Sequence, residues 1–201
     1  MGLIKNILKE NDSRRFFIFC PDIYEKVEAG SSVCVSGVCL TVTGKDNNNL
    51  IFEVMPETIR KSILGRVKVG DKLNLENSLS VGDEMGGHFV YGHVNTVGKV
   101  VNIENEGEDK LVSVEVSPDY DKYLVDEGSI AIDGVSLTIA RTNKNIFTVS
   151  LIQYTLAETS LGALEVGDRV NIEFDMMLKY LEKLIKYLPE MPHNARQAGK
   201  K

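Results

Sequence analysis

The six residues GVCLTV, Gly37 to Val42, return almost unchanged as GVSLTI, Gly134 to Ile139, and the interval between the copies governs what this chain can fold into. Thr138 follows Thr41 by 97 positions. The same offset joins Pro21-Asp22 to Pro118-Asp119, Thr58 to Thr155, Leu64-Gly65 to Leu161-Gly162, and VGDKLNLE (Val69 to Glu76) to VGDRVNIE (Val166 to Glu173). Chance similarity would not hold one register over so much chain, so the sequence is a duplication. With 201 residues, 43% of them hydrophobic, each half has enough chain for a small core of its own.

Within each half, short β-rich runs are punctuated by Gly, Asp and Asn. SSVCVSGVCLTVTG, LIFEVM and KVGDKLNLE are answered by GSIAIDGVSLTIAR, IFTVSLI and EVGDRVNIEF. Many short strands with turn signals between them predict a small closed barrel per half, with the VGD segments (Gly70-Asp71, Gly167-Asp168) as tight structural turns. Beyond Asp175 the period changes. Met177, Leu178, Leu181, Leu184, Ile185 and Leu188 recur at three- and four-residue spacing among lysines and a glutamate, which predicts an amphipathic helix ending before Pro189 and an apolar stripe that must cap a barrel or meet its copies in an oligomer. The tail PEMPHNARQAGKK is expected to be disordered.

Charge and cysteine usage narrow the function classes. A net charge of -6 is poorly suited to a phosphate backbone, so a nucleic-acid partner is not expected. No apolar run approaches the roughly 18 residues of a membrane span, and charges within MGLIKNILKE argue against a signal peptide. Cys20, Cys34 and Cys39 are odd in number and lack CxxC spacing, which fits a reduced cytoplasmic compartment, with Cys20 and Cys34 as packing residues.

The least repetitive stretch is GDEMGGHFVYGHV, Gly82 to Val94, at the junction of the halves. It carries His88 and His93 in a glycine-rich setting; the third histidine, His193, falls in the polar tail and is expected to be inert. No GxxxxGK[ST] pattern marks a phosphate loop. The histidines are five apart with no thiolate pair nearby, so no metal site is expected. Taken alone, two loop histidines fit a structural role as well as ligand contact. On the doubled strand, alternation puts Cys39 and Thr41 on one face, and likewise Ser136 and Thr138. Such small polar pairs suit either a flat heterocycle or hydrogen bonds to neighbouring backbone.

GVCLTV followed by PET, then GGHFVYGHV, IAIDGVSLTI, TL and VNIEFD, in this order over a duplicated chain, resembles the α-type riboflavin synthases. The resemblance covers nearly everything before the C-terminal helix. It implies an all-β fold of two tandem six-stranded Greek-key barrels, residues 1–89 and 90–175, then a trimerisation helix and tail over 176–201. It also implies a homotrimer in which the N-barrel of one chain faces the C-barrel of its neighbour, and dismutation of two 6,7-dimethyl-8-ribityllumazine molecules to riboflavin and 5-amino-6-(ribitylamino)uracil. No metal or organic cofactor is implied. A non-catalytic lumazine- or flavin-binding protein of the same fold is the alternative, although such relatives tend to lose the cysteine and the GGH…GH loop that are present here.

By position, the resemblance places Gly2, Leu3, Ile4, Cys39, Leu40, Thr41 and Glu53, Val54, Met55, Pro56, Glu57, Thr58 in an N-half pocket. Gly92, His93, Val94, Glu127, Ser136, Leu137, Thr138 and Ile152, Gln153, Tyr154, Thr155, Leu156, Ala157 fall in a C-half pocket. His93, Cys39, Ser136, Thr138 and Asp175 are the implied catalytic set, supported by His88 and Ser32. The chain departs from the family pattern in beginning MGLI rather than MFTG, in Glu127 where a basic residue is common, in Gln153-Tyr154, and in Tyr91 and Asn95.

Overall fold

The computed structural model describes residues 1–188; the tail expected to be disordered and His193 lie outside them. The N half contains β1 (Gly2–Glu10), β2 (Ser13–Phe19), α1 (Pro21–Tyr24), β3 (Ser32–Val35), β4 (Val38–Asp46), β5 (Asn49–Val54), α2 (Pro56–Lys61), β6 (Lys72–Leu73) and β7 (Leu75–Asn77). The C half contains β8 (Thr96–Glu106), β9 (Asp109–Glu115), β10 (Ser129–Ile132), β11 (Val135–Asn143), β12 (Ile146–Leu151), α3 (Gln153–Glu158) and β13 (Arg169–Phe174), followed by α4 (Met176–Ile185).

Both halves use one Greek-key order. In the C half, β10-β11-β12-β9-β8-β13 closes into a barrel because β13 pairs with β8 through Arg169–Ile172 and with β10 through Ile172–Phe174. In the N half the equivalent run is broken at Asn74. Its first piece, β6, pairs with β1 and its second, β7, with β3, so the sheet β6-β1-β2-β5-β4-β3-β7 nearly closes. Alternation decides which side chains go inside: along β4, Val38, Leu40 and Val42 are buried while Cys39, Thr41 and Thr43 are exposed. Phe16 and Phe52 fill the N core; Phe147 and Phe174 fill the C core. Each such side chain contributes on the order of 1.5–3 kcal/mol.

The repeat register shifts once. Ile4 exchanges backbone hydrogen bonds with Gly70 and Asp71, and Val100 does the same with Gly167 and Asp168. Ile4 therefore corresponds to Val100, 96 positions later, while everything from Pro21 onward keeps the offset of 97. Ser117, between β9 and the turn that begins at Pro118, absorbs the extra residue.

The halves meet about a pseudo-twofold axis made by their tightest turns. Ser36-Gly37 and Asp133-Gly134 both have positive φ at both residues, the two-residue turn that matches strand twist. A Cβ on Gly37 would lie 2.8 Å from the Gly134 nitrogen, so the turns pack back to back only as glycines. Two asparagines fasten them. Asn74 donates through its side chain to the Asp133 carbonyl (3.0 Å) and accepts from Ser160 N–H (2.8 Å). Asn171 donates to the Ser36 carbonyl (2.7 Å) and accepts from Ile63 N–H (2.7 Å). Each asparagine thus belongs to one half and satisfies backbone of the other.

Candidate functional site between the halves

The segment joining β7 to β8 runs along the seam between the barrels and bonds to both. Gly92 C=O accepts from Cys39 N–H (2.8 Å) on β4. On the other side, Tyr91 N–H donates to Glu173 Oε1 (2.8 Å) and His93 N–H to Glu173 Oε2 (3.0 Å). Gly92 has φ +74, and a Cβ there would sit 2.7 Å from the Cys39 nitrogen; only glycine lets the segment lie this close. Asn95 continues the attachment, donating from its backbone to Ile172 C=O (2.8 Å) and accepting from Phe174 N–H through its side chain (2.9 Å).

The two histidines have different surroundings. His88 reaches the C half: its Nδ1 lies 2.8 Å from Ser136 Oγ, and its backbone N–H donates to the same oxygen at 3.3 Å. With the serine hydroxyl donating to Nδ1, the neutral ring carries its proton on Nε2. Burial pushes the His88 pKa below the usual imidazole value, against the pull of Asp175 and Glu173, so the neutral ring persists at neutral pH. Its Nε2 is buried with no hydrogen-bond partner among the described residues. His93 is exposed, and Val94 beside it packs against the N-half core. The resemblance assigns residues 92–94 to the C-half pocket, but Gly92 and Val94 lie against the N half, because the 91–95 segment crosses the seam.

A cavity of about 660 Å³ opens here. Ser32, Cys34 and Cys39 line it from the N half, His88 and Tyr91 from the connecting segment, and Asp133, Val135 and Ser136 from the C half. Cys34 is the direct cross-strand partner of Cys39, and burial pushes its thiol up to about 12, so it serves as a neutral wall. Phe89, Tyr91 and His93 alternate along the segment, and their rings follow one another at centroid separations of 6.4 and 6.0 Å. Among the described residues no group of three or more His, Cys, Asp or Glu is placed to hold a metal ion.

The remaining candidates form two equivalent exposed faces and a buried remainder. Thr41, Glu53 and Met55 are exposed on the N half; Thr138, Ile152, Gln153 and Tyr154 on the C half. Met55 (57%) and Ile152 (54%) are counterparts in the repeat and are left similarly open. Thr58 and Thr155 are half-buried just inside α2 and α3, each with its carbonyl accepting the hydroxyl of the residue four positions on, at 2.6 Å. Glu57 pairs with Arg60 and Lys61 at 2.7 Å on the exposed face of α2. Ile4, Leu40 and Val54 are core residues, Gly2 is buried against Leu75 and Ile18, and Leu137 and Leu156 pack on the C core. The side chains of Ile4, Leu40 and Val54 point into the N barrel, so only their backbone can meet a ligand, while Leu156 also lines a second cavity. Pro56 opens α2. Leu3 is half-buried, Ala157 is exposed, and Glu127 is an exposed turn residue with φ +64. Asp175 caps α4, accepting from Met177 N–H at 2.9 Å. Sequence reasoning misses Glu173, whose twin Glu76 is exposed while it is itself 2% exposed.

Two barrels of one strand order, each presenting a small polar strand face, with a histidine-bearing segment and a cavity between them, define a duplicated β-barrel protein. Residues 1–78 and 91–175 each match the lumazine binding domain. The chain is 38% identical over 184 residues to riboflavin synthase of Bacillus subtilis (92% of this chain, 86% of the relative). It is 37% identical over 188 residues to that of Schizosaccharomyces pombe (92% and 90%). The crystal structure of LumP complexed with riboflavin matches with a TM-score of 0.81 at 32% identity, covering 86% of this chain and 94% of that one. LumP complexed with 6,7-dimethyl-8-(1'-D-ribityl) lumazine matches at 0.78 and 32%, covering 86% and 93%. This chain belongs to the riboflavin synthase family.

Proposed function

We propose that the protein is a riboflavin synthase, transferring a four-carbon unit between two molecules of 6,7-dimethyl-8-ribityllumazine to give riboflavin and 5-amino-6-(ribitylamino)uracil. The observation that carries this reading is the doubled face: Cys39, Thr41 and Met55 on one half, and Ser136, Thr138 and Ile152 at the same repeat positions on the other. A reaction between two copies of one substrate needs two similar beds with unequal duties, and the inequality is present. The C-half serine is bonded to a neutral histidine, whereas the N-half cysteine bonds the connecting segment through its backbone and keeps its thiol toward the cavity.

The lumazine 7-methyl group is acidic because its anion delocalises into an electron-poor ring, so modest bases and placed donors suffice for proton transfer. Neutral His88, relayed through Ser136, is suited to accept or return a proton on the C side, and exposed His93 on the N side. Holding two rings face to face supplies much of the acceleration, up to roughly 7–11 kcal/mol for a well-oriented pair. Thr41, Thr138, Thr58 and Thr155 are suited to the ring edge and ribityl hydroxyls, with Glu53, Gln153 and Tyr154 at the rims and Glu127 and Ser32 at the margins.

The exposed faces of the two barrels are open in one chain, which supports a site completed by the C half of a neighbour. Met177 (66%), Leu181 (51%) and Leu184 (63%) on α4 give the apolar stripe for a homotrimer. No helix of the described residues is long and apolar enough to cross a membrane, and the unpaired cysteines suit the cytoplasm. Incubation of the purified protein with the lumazine, followed by riboflavin absorbance, tests the reading. Tight binding of lumazine without riboflavin formation would leave a chromophore-holding protein instead, and a monomer at micromolar concentration in sedimentation would remove the trimer.

A further inference from the structure

Glu173 is a carboxylate almost entirely withdrawn from water, 2% exposed, on β13 of the C barrel, and no lysine or arginine pairs with it among the described residues. Its two oxygens are spent on the backbone N–H groups of Tyr91 and His93. The residue between them, Gly92, turns its carbonyl the other way and takes the amide of Cys39 in the N half. Three consecutive residues are thus held from both sides, with the only charged group of the clasp in the C half. We propose that Glu173 is a positioning residue for the N-half site: by fixing the Tyr91 and His93 backbone it sets where the Gly92 carbonyl lies against Cys39 and from where the His93 ring projects.

The chemistry of the side chain fits this task. A carboxylate offers two acceptor oxygens in one plane and no donor, so it can satisfy two diverging N–H groups at once. An amide of the same shape keeps one acceptor and turns an NH2 group toward the second N–H, which repels it. A part-buried N–H left without an acceptor is costly, which favours lifting of the segment. Its counterpart in the repeat, Glu76, is exposed on β7 and borders the cavity, and among the described residues it takes no such pair of backbone N–H groups.

The proposal rests on the proposed reaction, and Glu173→Gln tests it with two readouts. Expected is a fall in kcat of about 10- to 100-fold, as for a reacting group displaced by about 1 Å. The dissociation constant for riboflavin, read by fluorescence quenching, should change less than about 3-fold. Amide hydrogen exchange should rise at least about 10-fold at Tyr91, His93 and Cys39, with the core amides of β12 unchanged. Unaltered kcat, or unaltered exchange at Cys39, overturns the proposal. So does loss of protection throughout β12, since the carboxylate would then be holding the barrel rather than the segment. Glu173→Asp, which keeps both acceptors but withdraws them, should fall between parent and Glu173→Gln in kcat and exchange alike; an effect larger than that of Glu173→Gln overturns the clasp geometry. If the parent itself makes no riboflavin, the reaction is wrong, and exchange at Cys39 still decides the clasp.

Discussion

The turn at the pseudo-twofold axis carries Ser36 in the N half and Asp133 in the C half, and the two barrels diverge most instructively around that pair. Both are buried, but Ser36 is a small hydroxyl that accepts Asn74 N–H at 3.2 Å, whereas Asp133 is a carboxyl that accepts Asn171 N–H at 2.7 Å. The asparagines differ in depth, Asn171 being 1% exposed and Asn74 half-buried. The duplicated plan thus supplies two copies of one clasp, of which the C-half copy has the deeper asparagine and the ionisable turn residue. The connecting segment follows the same asymmetry, since its charged anchor is Glu173 rather than Glu76.

The sharpest way to break this comparison is to remove each asparagine in turn. Asn171→Ala strands Ile63 N–H and the Ser36 carbonyl in a dry seam, and should cost roughly 2–5 kcal/mol. Asn74→Ala strands Ser160 N–H and the Asp133 carbonyl where water has better access, and should cost roughly 1–2 kcal/mol. Denaturant midpoints of the two variants measure the difference. Equal losses would mean that the axis is energetically symmetric despite its unequal burial.

Much of this plan is legible in the amino-acid sequence. The offset of 97 identifies β3, β4, α2 and their partners, because those runs retain identical residues, whereas β5 and β12 match only in being β-rich; strand alternation places Cys39 with Thr41 on one face. The one-residue step at Ser117 is invisible to a single offset: at 96, β1 and β8 share Gly2/Gly98, Asn6/Asn102, Ile7/Ile103 and Glu10/Glu106, a match that a register of 97 passes over. Leu40 and Leu137 enter the implied site by neighbourhood, although alternation alone sends them into the cores. Glu173 is hidden for a different reason: VNIE and LNLE end in the same glutamate, and only the path of the 91–95 segment makes one buried and the other exposed. The asparagine in each motif does carry a signal, a polar residue repeated inside an apolar strand.

A smaller effect comes from the Asp133 carboxyl. Burial raises its pKa from 3.8 to about 7, against the Asn171 N–H that favours the charge. Between those values the folded chain keeps a proton that the unfolded chain has released, so stability contributed by this group is full below about pH 4 and is lost as pH rises through about 7. Asp133→Asn keeps an acceptor for Asn171 and has nothing to ionise. Relative to the parent it should therefore gain stability between pH 5 and pH 8, by on the order of 1–4 kcal/mol. Ser36→Ala, its counterpart, should show no such pH-dependent gain. A constant difference between Asp133→Asn and the parent across that range would show that the carboxyl does not titrate there.

The smallest stability effects should come from the pair of residues that the repeat changes in its most similar strand. Ser136 takes part in two hydrogen bonds with His88, so Ser136→Ala should cost about 0.5–1.5 kcal/mol and free the imidazole. Cys39 is exposed and bonds the connecting segment through its backbone, so Cys39→Ala should leave stability within about 0.5 kcal/mol. Activity is expected to fall in both, but by different routes. Loss of Ser136 raises the His88 pKa toward that of a solvated imidazole or lets the ring turn, which shifts the acid limb of the pH–rate profile; loss of Cys39 lowers the rate at every pH without moving that limb. Profiles of kcat against pH for the two variants separate these outcomes. Should Cys39→Ala move the acid limb and Ser136→Ala leave it in place, the assignment of His88 to the titrating role would pass to His93, and the unequal duties of the two halves would be reversed.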